Sequence, residues 1–447
     1  MRLLRPYRAR PAQRGAALLL FFLVLIVIVM IVYQVNRLTS SERIDAERSV
    51  TLSQMDLAIQ AAQLENRALL SDDAAQASAE GDSSGASGDS TGDGTGEEGL
   101  PADGEGGESG STGPVDSYMD TWAPAQQSSI GEVEVVTFME DEDRKFNVLN
   151  ILSADPEEAQ EAEAIIVRIL DRCREQTTFD IDNGKASEMA TSIRRFIEDR
   201  YSNTYPTPNR VDAEPGDPIL PLSLRELVAI PPFEEHMFRD FFDERGERVY
   251  AIDHFLTLYS SPMLGPSGTP TGGYTVNVNT APLIVLAALF DSRDVNTRVW
   301  LDVAEYRRRE ADRDPNADEA EEVFRQNRFN EELPNLQYFE SLTQVEELPT
   351  LADMDPDLRG KVLARLRVDS EVFSMTILAK QTTLSQGGDS MFDQDREKVE
   401  RQEQAGTDLV RVVRQILWRQ AGEGEATLQL ISPWEVLDYV PLEYLDL

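Results

Sequence analysis

The sequence predicts an α+β protein, with one long N-terminal helix, a small antiparallel sheet, and a large helical segment that interrupts the sheet between its early and late strands. Three observations predict it. An apolar run from Ala16 to Val35 follows five arginines, Arg2, Arg5, Arg8, Arg10 and Arg14, and Gly15. Runs rich in β-branched residues occur at 132–152 and return from 371 onwards. Between Ala154 and about Val368 the apolar residues recur almost wholly at helical spacing.

The first element follows from charge and length. No charge lies between Arg14 and Arg37, and the first acidic residue is Glu42. About 20 apolar helical residues span a hydrocarbon core, and the arginine excess holds the N-terminus in the cytoplasm. No small-x-small cleavage site follows, so the helix is expected to continue. Asn36 to Leu70 contains neither Pro nor Gly, and Leu52, Met55, Ile59, Ala62 and Leu69 fall on one helical face. Residues 71–117 are mostly Gly, Ser, Asp, Glu, Thr and Ala, with almost no large apolar residue and no Lys or Arg, a composition that cannot offset the entropy of ordering.

Glu132 to Phe138 and Phe146 to Leu152 flank the acidic turn Met139 to Lys145 and read as a hairpin. Glu371 to Lys380, Leu409 to Trp418 and Ala426 to Ile431 read as the strands that complete the sheet. Within the helical segment, Ser223 to Phe242, Asn279 to Arg309 and Ser341 to Val368 each combine an N-cap residue, a short apolar helix, a break and a second helix. In the middle unit Thr280 is expected to cap the helix, Pro282 to occupy its first turn, and Leu283, Leu286 and Phe290 to share a face.

Composition excludes some functions. Acidic residues outnumber basic ones by 81 to 42, a net charge of -39, which opposes binding to phosphate backbones. The helix-turn-helix units could otherwise suggest DNA, but the turn after Leu289 has no glycine and carries Asp291 and Asp294. The single cysteine, Cys173, cannot form an internal disulfide and lies on an apolar helical face, as a buried small hydrophobe would. His236 and His254 have no cysteine partner and no HExxH context, so no zinc site is expected. No Gly-rich phosphate loop, nucleophile elbow or paired-carboxylate motif is present, so no catalysis is expected.

Four stretches together resemble the minor pseudopilin K family of type II secretion, GspK. They are the basic leader ending Arg14-Gly15-Ala16, the segment Lys145 to Leu152, the segment Tyr274 to Leu289 with Val276-Asn277-Val278-Asn279-Thr280-Ala281-Pro282 at its centre, and Ser370 to Met375. The leader alone is shared by many pilin-like proteins, and the segment Val276 to Pro282 is the specific one.

The resemblance implies a pilin-like fold, a long transmembrane helix plus a small sheet, with an inserted all-helical domain of SAM or helix-hairpin-helix-like units. Its expected organisation is a leader at 1–15, a transmembrane and rod helix at 16–70, an acidic linker at 71–117, a sheet head built from 118–153 and 369–447, and an insertion at 154–368. It further implies that a prepilin peptidase cuts between Gly15 and Ala16 and methylates the new N-terminus. Pilin-like proteins carry a glutamate at the fifth mature position, and this chain has Leu20 there. That glutamate neutralises the N-terminal amine of the next subunit towards the tip. A subunit without it has no one ahead to neutralise, which places it at the tip. The implied setting is the bacterial inner membrane with the head in the periplasm, the implied partners are the I and J minor pseudopilins and the inner-membrane secretion platform, and no cofactor is required. A membrane-anchored minor pilin or adhesin of a type IV pilus-like system remains the alternative.

Calcium is the one ion the sequence raises. Asp312, Asp314, Asn316 and Asp318 have the alternating spacing of a calcium loop, but Ala317 stands where the loop needs glycine and Val323 where it needs glutamate. Asp389, Asp393 and Asp395 form a second, weaker cluster. A solvated acidic loop is the preferred reading of both, with calcium as the alternative.

Overall fold

Helix α1 runs from Ala12 to Ser83, 72 residues without a break. The computed structural model describes residues 12–83, 115–153, 155–175, 177–202, 223–246, 248–259, 274–308, 337–381, 409–420, 427–430 and 434–442, and the structural statements below refer to these. Two units divide the chain, Met1–Ala58 and Ile59–Leu447. In the first, Phe21–Thr39 has a mean hydropathy of 2.3 and none of it is buried, so it is long and apolar enough to cross a membrane.

In the second unit, Ile59, Ala62, Asn66, Leu70 and Ala74 of α1 are buried at three- and four-residue spacing. The stripe passes through Leu70 and leaves Leu69 half-buried, because a 3.6-residue repeat drifts from a strict heptad. Asn66 keeps its amide donor paired inside this stripe by bonding back to the Ala62 carbonyl at 2.8 Å. The helix also outruns its expected end at residue 70. No proline or glycine interrupts it before Gly81, and alanines fill the extra turns. The rest of the expected linker, 84–114, lies outside the described residues, while Asp116 and Ser117 are already buried.

The sheet has six strands, all pairs antiparallel. Strand β1 (Gln126–Ile130) joins β2 (Val133–Asp141) through a two-residue turn at Gly131, whose φ of 66° a residue with a Cβ rarely adopts. β2 then pairs with a strand more than 200 residues later, Asp141 opposite Phe373 and Glu134 opposite Lys380. That strand (Val372–Gln381) and its neighbour (Leu409–Gln420) form the centre of the sheet, with Val372 opposite Trp418 and Leu409 opposite Gln381. The final strands, Thr427–Leu430 and Glu435–Leu437, both pair with Leu409–Gln420.

The expected hairpin between 132–138 and 146–152 is not formed. β2 takes β1 as its hairpin partner, and only β3 (Phe146–Asn147) is extended, pairing in parallel with Leu256–Thr257. Val148–Leu152 instead winds into a 3₁₀ helix, because the Asn147 side chain accepts a hydrogen bond from the Leu149 amide at 2.9 Å and starts a turn.

Between β3 and the second half of the sheet the chain is mostly helical. Helix α2 (Pro156–Arg172) begins at Asp155, whose side chain caps the Glu157 amide, followed by Pro156 and two glutamates in the first turn. Its buried face, Ala162, Ile165, Ile166, Ile169 and Leu170, packs on α3 (Asn183–Ser202), which contributes Ala186, Met189, Ala190, Ile193 and Ile197. Cys173 ends the same face and is buried, and desolvation pushes its thiol up to about 12. The buried members of this apolar cluster all lie between Phe146 and Val368. The segment nevertheless belongs to the same compact unit as the sheet.

Three helix-turn-helix units were expected there; the described residues form the middle one, with a different cap, and depart from the other two. Ser223 to Phe242 forms two 3₁₀ helices, Leu224–Ala229 and Glu235–Phe238, and a short strand β4 (Phe241–Phe242) paired with β5 (Arg248–Val249). Pro231 and Pro232 explain the stop, since proline forces the preceding residue out of helix, and Ile230 is extended at φ -123°, ψ 136°. In the middle unit, α4 (Leu283–Ala288) and α5 (Arg298–Arg308) do form a pair, but Pro282 stands at the cap itself and Thr280 does not cap. The third unit is three short helices, α6 (Leu342–Glu346), α7 (Pro349–Ala352) and α8 (Pro356–Leu363), two of them opening on a proline.

Candidate functional site

The residues that the sequence singles out divide between the two units. Gly15, Ala16 and Leu20 lie in the opening turns of α1, and their side chains are outside the description. Asn277, Asn279, Thr280, Ala281 and Pro282 lead into α4, and Asn277 and Thr280 reach Asp141 of β2. Asp312, Asp314, Asn316 and Asp318, like Asp389, Asp393 and Asp395, fall outside the described residues.

Asn277 sits on strand β7 (Val276–Asn277), fully buried. Its amide nitrogen donates to the Asp116 carbonyl at 3.1 Å, to Asp141 Oδ2 at 3.1 Å and to Ser370 Oγ at 2.8 Å. Its side-chain oxygen accepts from the Asn279 amide at 2.9 Å, which bends the chain towards α4. Asn279 behaves as a substitute strand partner, since its Nδ2 donates to the Phe339 carbonyl at 3.0 Å while its Oδ1 accepts from the Phe339 amide at 2.7 Å. Thr280 Oγ1 donates to Asp141 Oδ2 at 2.5 Å, which is why this hydroxyl is not available to cap α4. Only a side chain with both donor and acceptor can bridge backbone in this way, and asparagine supplies both on a short stem.

The partners are acids at the end of β2. Asp141 accepts from Asn277, Thr280 and Ser370, the last at 2.6 Å. Burial raises its carboxyl, while the bonds from Ser370 and Thr280 oppose the rise. Asp143 accepts the amides of Glu371 at 2.7 Å and Val372 at 3.1 Å, so it fixes where the returning strand enters the sheet. Glu142 is buried between Lys145 at 3.0 Å and Arg414 at 2.7 Å, and Thr257 donates to it at 2.5 Å. Burial acts to raise its carboxyl, but the Lys145 and Arg414 charges outweigh that and hold it well below the usual carboxylate range. Arg307 completes the junction, its Nη1 donating to the carbonyls of Val278, Asn279 and Ala281 at 3.3, 3.3 and 2.8 Å.

A second acidic group was not legible in the sequence. Asp73 of α1, Asp116 and Asp120 bring carboxylate oxygens within 4.8 Å of one another, close enough to share a cation. Arg419 already supplies one, bonding to Asp116 and, at 3.4 Å, to Asp73. These positions carry no spacing motif because the 84–114 stretch separates the first from the others. Asp120 is raised to about 7, first by burial and against the bonds it accepts from the Ser117 backbone and hydroxyl. An acid raised on folding adds stability that is full below its unfolded value, near 3.8, and is lost as pH climbs to about 7. Asp120→Asn is therefore expected to stabilise the full chain by on the order of 2 kcal/mol at pH 8 and by little at pH 4, as read by denaturant titration at both.

The described groups form no nucleophile and base pair. They fix the helical segment to the sheet through hydrogen bonds and buried ion pairs. His236 lies beside Glu234 at 3.4 Å, and His254 beside Asp240 at 3.0 Å, on separate 3₁₀ helices.

No protein-family model matches the chain, and no curated protein matches it. Among solved structures it is similar to a chain from the crystal structure of the GspK-GspI-GspJ complex of the type 2 secretion system of enterotoxigenic Escherichia coli. The two share 11% identity over 73% of this chain and 88% of that chain, with a TM-score of 0.36. A likeness at that level decides nothing about function, which is argued from the chain's own residues.

Proposed function

We propose that this chain is a minor pseudopilin of a type II secretion system, of the K kind, which stands at the tip of the pseudopilus and helps to start it. The observation that carries the reading is the N-terminal sequence: five arginines, Gly15, an uncharged apolar helix, and Leu20 where pilin-like relatives place glutamate. A glutamate there would neutralise the amine of a subunit ahead, and its absence suits the foremost position.

The rest of the chain supports this reading. One helix carries the exposed apolar stretch Phe21–Thr39 and, further along, the buried stripe Ile59 to Ala74 of the sheet-containing unit. The segment between β2 and the strand at Val372 gives the head bulk that a subunit stacked above would have to displace. Its role is assembly, not catalysis, with the I and J minor pseudopilins and the inner-membrane platform as partners. The leader is the substrate of a prepilin peptidase, and the head faces the periplasm.

Co-expression of the full chain with I and J minor pseudopilins from the same genome tests the assignment. A stoichiometric ternary complex is expected on affinity purification in detergent. Capture of neither partner, with a pilus adhesin's ligand bound instead, would favour the type IV pilus reading.

A further inference from the structure

His254 has carboxylates on both sides of its ring. Its Nε2 lies 3.0 Å from Asp240 Oδ2, and its Nδ1 lies 3.9 Å from Glu140 Oε1. Asp240 comes from the residue before β4, and Glu140 from β2, so the two acids belong to different layers. The His254 side chain is 16% exposed and lines a cavity of about 70 Å³, so a proton can reach it without unfolding.

Other charges face the same place from each neighbouring element. Arg248 of β5 holds Asp240 at 2.6 Å, and Asp253 adjoins His254 on its own 3₁₀ turn. Arg414 reaches Asp253 at 3.5 Å and Glu142 at 2.7 Å, while Lys145 reaches Glu140 and Glu142 at 3.0 Å. Arg144 holds Glu140 at 2.9 Å. Tyr439, from the C-terminal segment, lines the cavity, its phenol kept neutral first by burial. The Tyr250 ring stands edge-on to the imidazole at 5.4 Å.

We propose that His254 is a proton-operated latch that fastens the 240–256 segment to the sheet. An imidazolium donates from Nε2 to Asp240 and sets its charge 3.9 Å from Glu140, whereas a neutral imidazole can keep the Asp240 bond but offers Glu140 no charge. Loss of the proton therefore gives up the attraction on one side and leaves two buried acids with less cation between them. Burial alone would lower the His254 value, but Asp240 first, then Glu140 and Asp253, outweigh it and raise it above 6.5. A histidine raised on folding contributes stability that is full below its unfolded value and is lost as pH rises through the folded one. The latch is closed in mild acid and opens towards alkaline pH.

The chain has only two histidines, which makes the test direct. The full chain in detergent micelles, carrying ¹³C-labelled histidine, is titrated from pH 5 to 9 by NMR, with His254→Gln assigning the signals. Hydrogen exchange of residues 240–256 is followed over the same range, with α2 in the same sample as the reference for intrinsic base catalysis. The expected result is a His254 midpoint above 6.5. Across that midpoint, exchange at 240–256 should accelerate relative to α2 by about tenfold for each unit by which the midpoint exceeds 6.5. A midpoint at or below 6.5, or exchange at 240–256 that tracks α2 throughout, would overturn the proposal. Both readings come from the unmodified chain, and His236→Gln, which removes the other histidine, assigns the signals where His254→Gln does not fold.

Discussion

Arg414→Met is expected to lower the stability of the full chain by about 3 to 5 kcal/mol at pH 7, the usual consequence of removing one member of a buried ion pair. Methionine preserves most of the aliphatic bulk, so the loss reports the charge. Glu142, 1% exposed, would keep Lys145 but lose the 2.7 Å guanidinium contact, and Asp253 would lose its 3.5 Å contact. Because the folded Glu142 value is depressed, its contribution is present above the unfolded value and lost as pH falls through the folded one. The variant should therefore show a weaker loss of stability on acidification than the parent. Adding Glu142→Gln to Arg414→Met should restore part of the stability, since the buried carboxylate that Lys145 alone then balances is gone. A denaturant titration of the parent, Arg414→Met and the double variant at pH 7 and pH 4 checks both statements.

Asn277→Ala should cost about 3 kcal/mol. The change removes donations to the Asp116 carbonyl, Asp141 and Ser370, all buried, and the acceptor that holds the Asn279 amide. Each buried group left without a partner carries a penalty of about 1 to 3 kcal/mol, while deletion of an exposed hydrogen bond would cost far less. The same measurement on Asn279→Ala, which loses its two bonds to Phe339, should give a smaller effect. Equal and negligible losses at both positions would mean that the junction is not what holds the helical segment.

The parts of the fold that the sequence made legible are those with a strong local period. The strands at Val372 and Leu409 match the expectation to within two residues, and helix α1 forms where expected but runs on past Leu70 to Ser83. Strand β1 was missed, since Gln126-Gln127-Ser128-Ser129-Ile130 contains a single large apolar residue and is a strand only because β2 lies beside it. Phe146 to Leu152 misled in the other direction, its alternation overridden by the turn that Asn147 starts.

The junction was legible as a set of residues and not as an arrangement. The stretch 276–282 was noticed through its resemblance to a family, yet its partners lie 161 residues away at Asp116 and 136 away at Asp141. Nothing in local sequence marks such pairs, because single Asp, Ser and Asn residues have many surface uses. For the same reason Thr280 reads as a helix cap until Asp141 is seen to take its hydroxyl. The leader is the reverse case. On the proposed reading Gly15, Ala16 and Leu20 would act through charge, length and chemical identity, which are properties of the sequence and need no folded head to be seen.

The mass of the mature chain tests the central assignment most directly. In cells that contain a prepilin peptidase, intact-mass and N-terminal peptide analysis should find a chain that begins at a methylated Ala16, and the same gene in cells without the peptidase should yield the leader still attached. A chain that begins at Met1 in both cells would contradict the assignment.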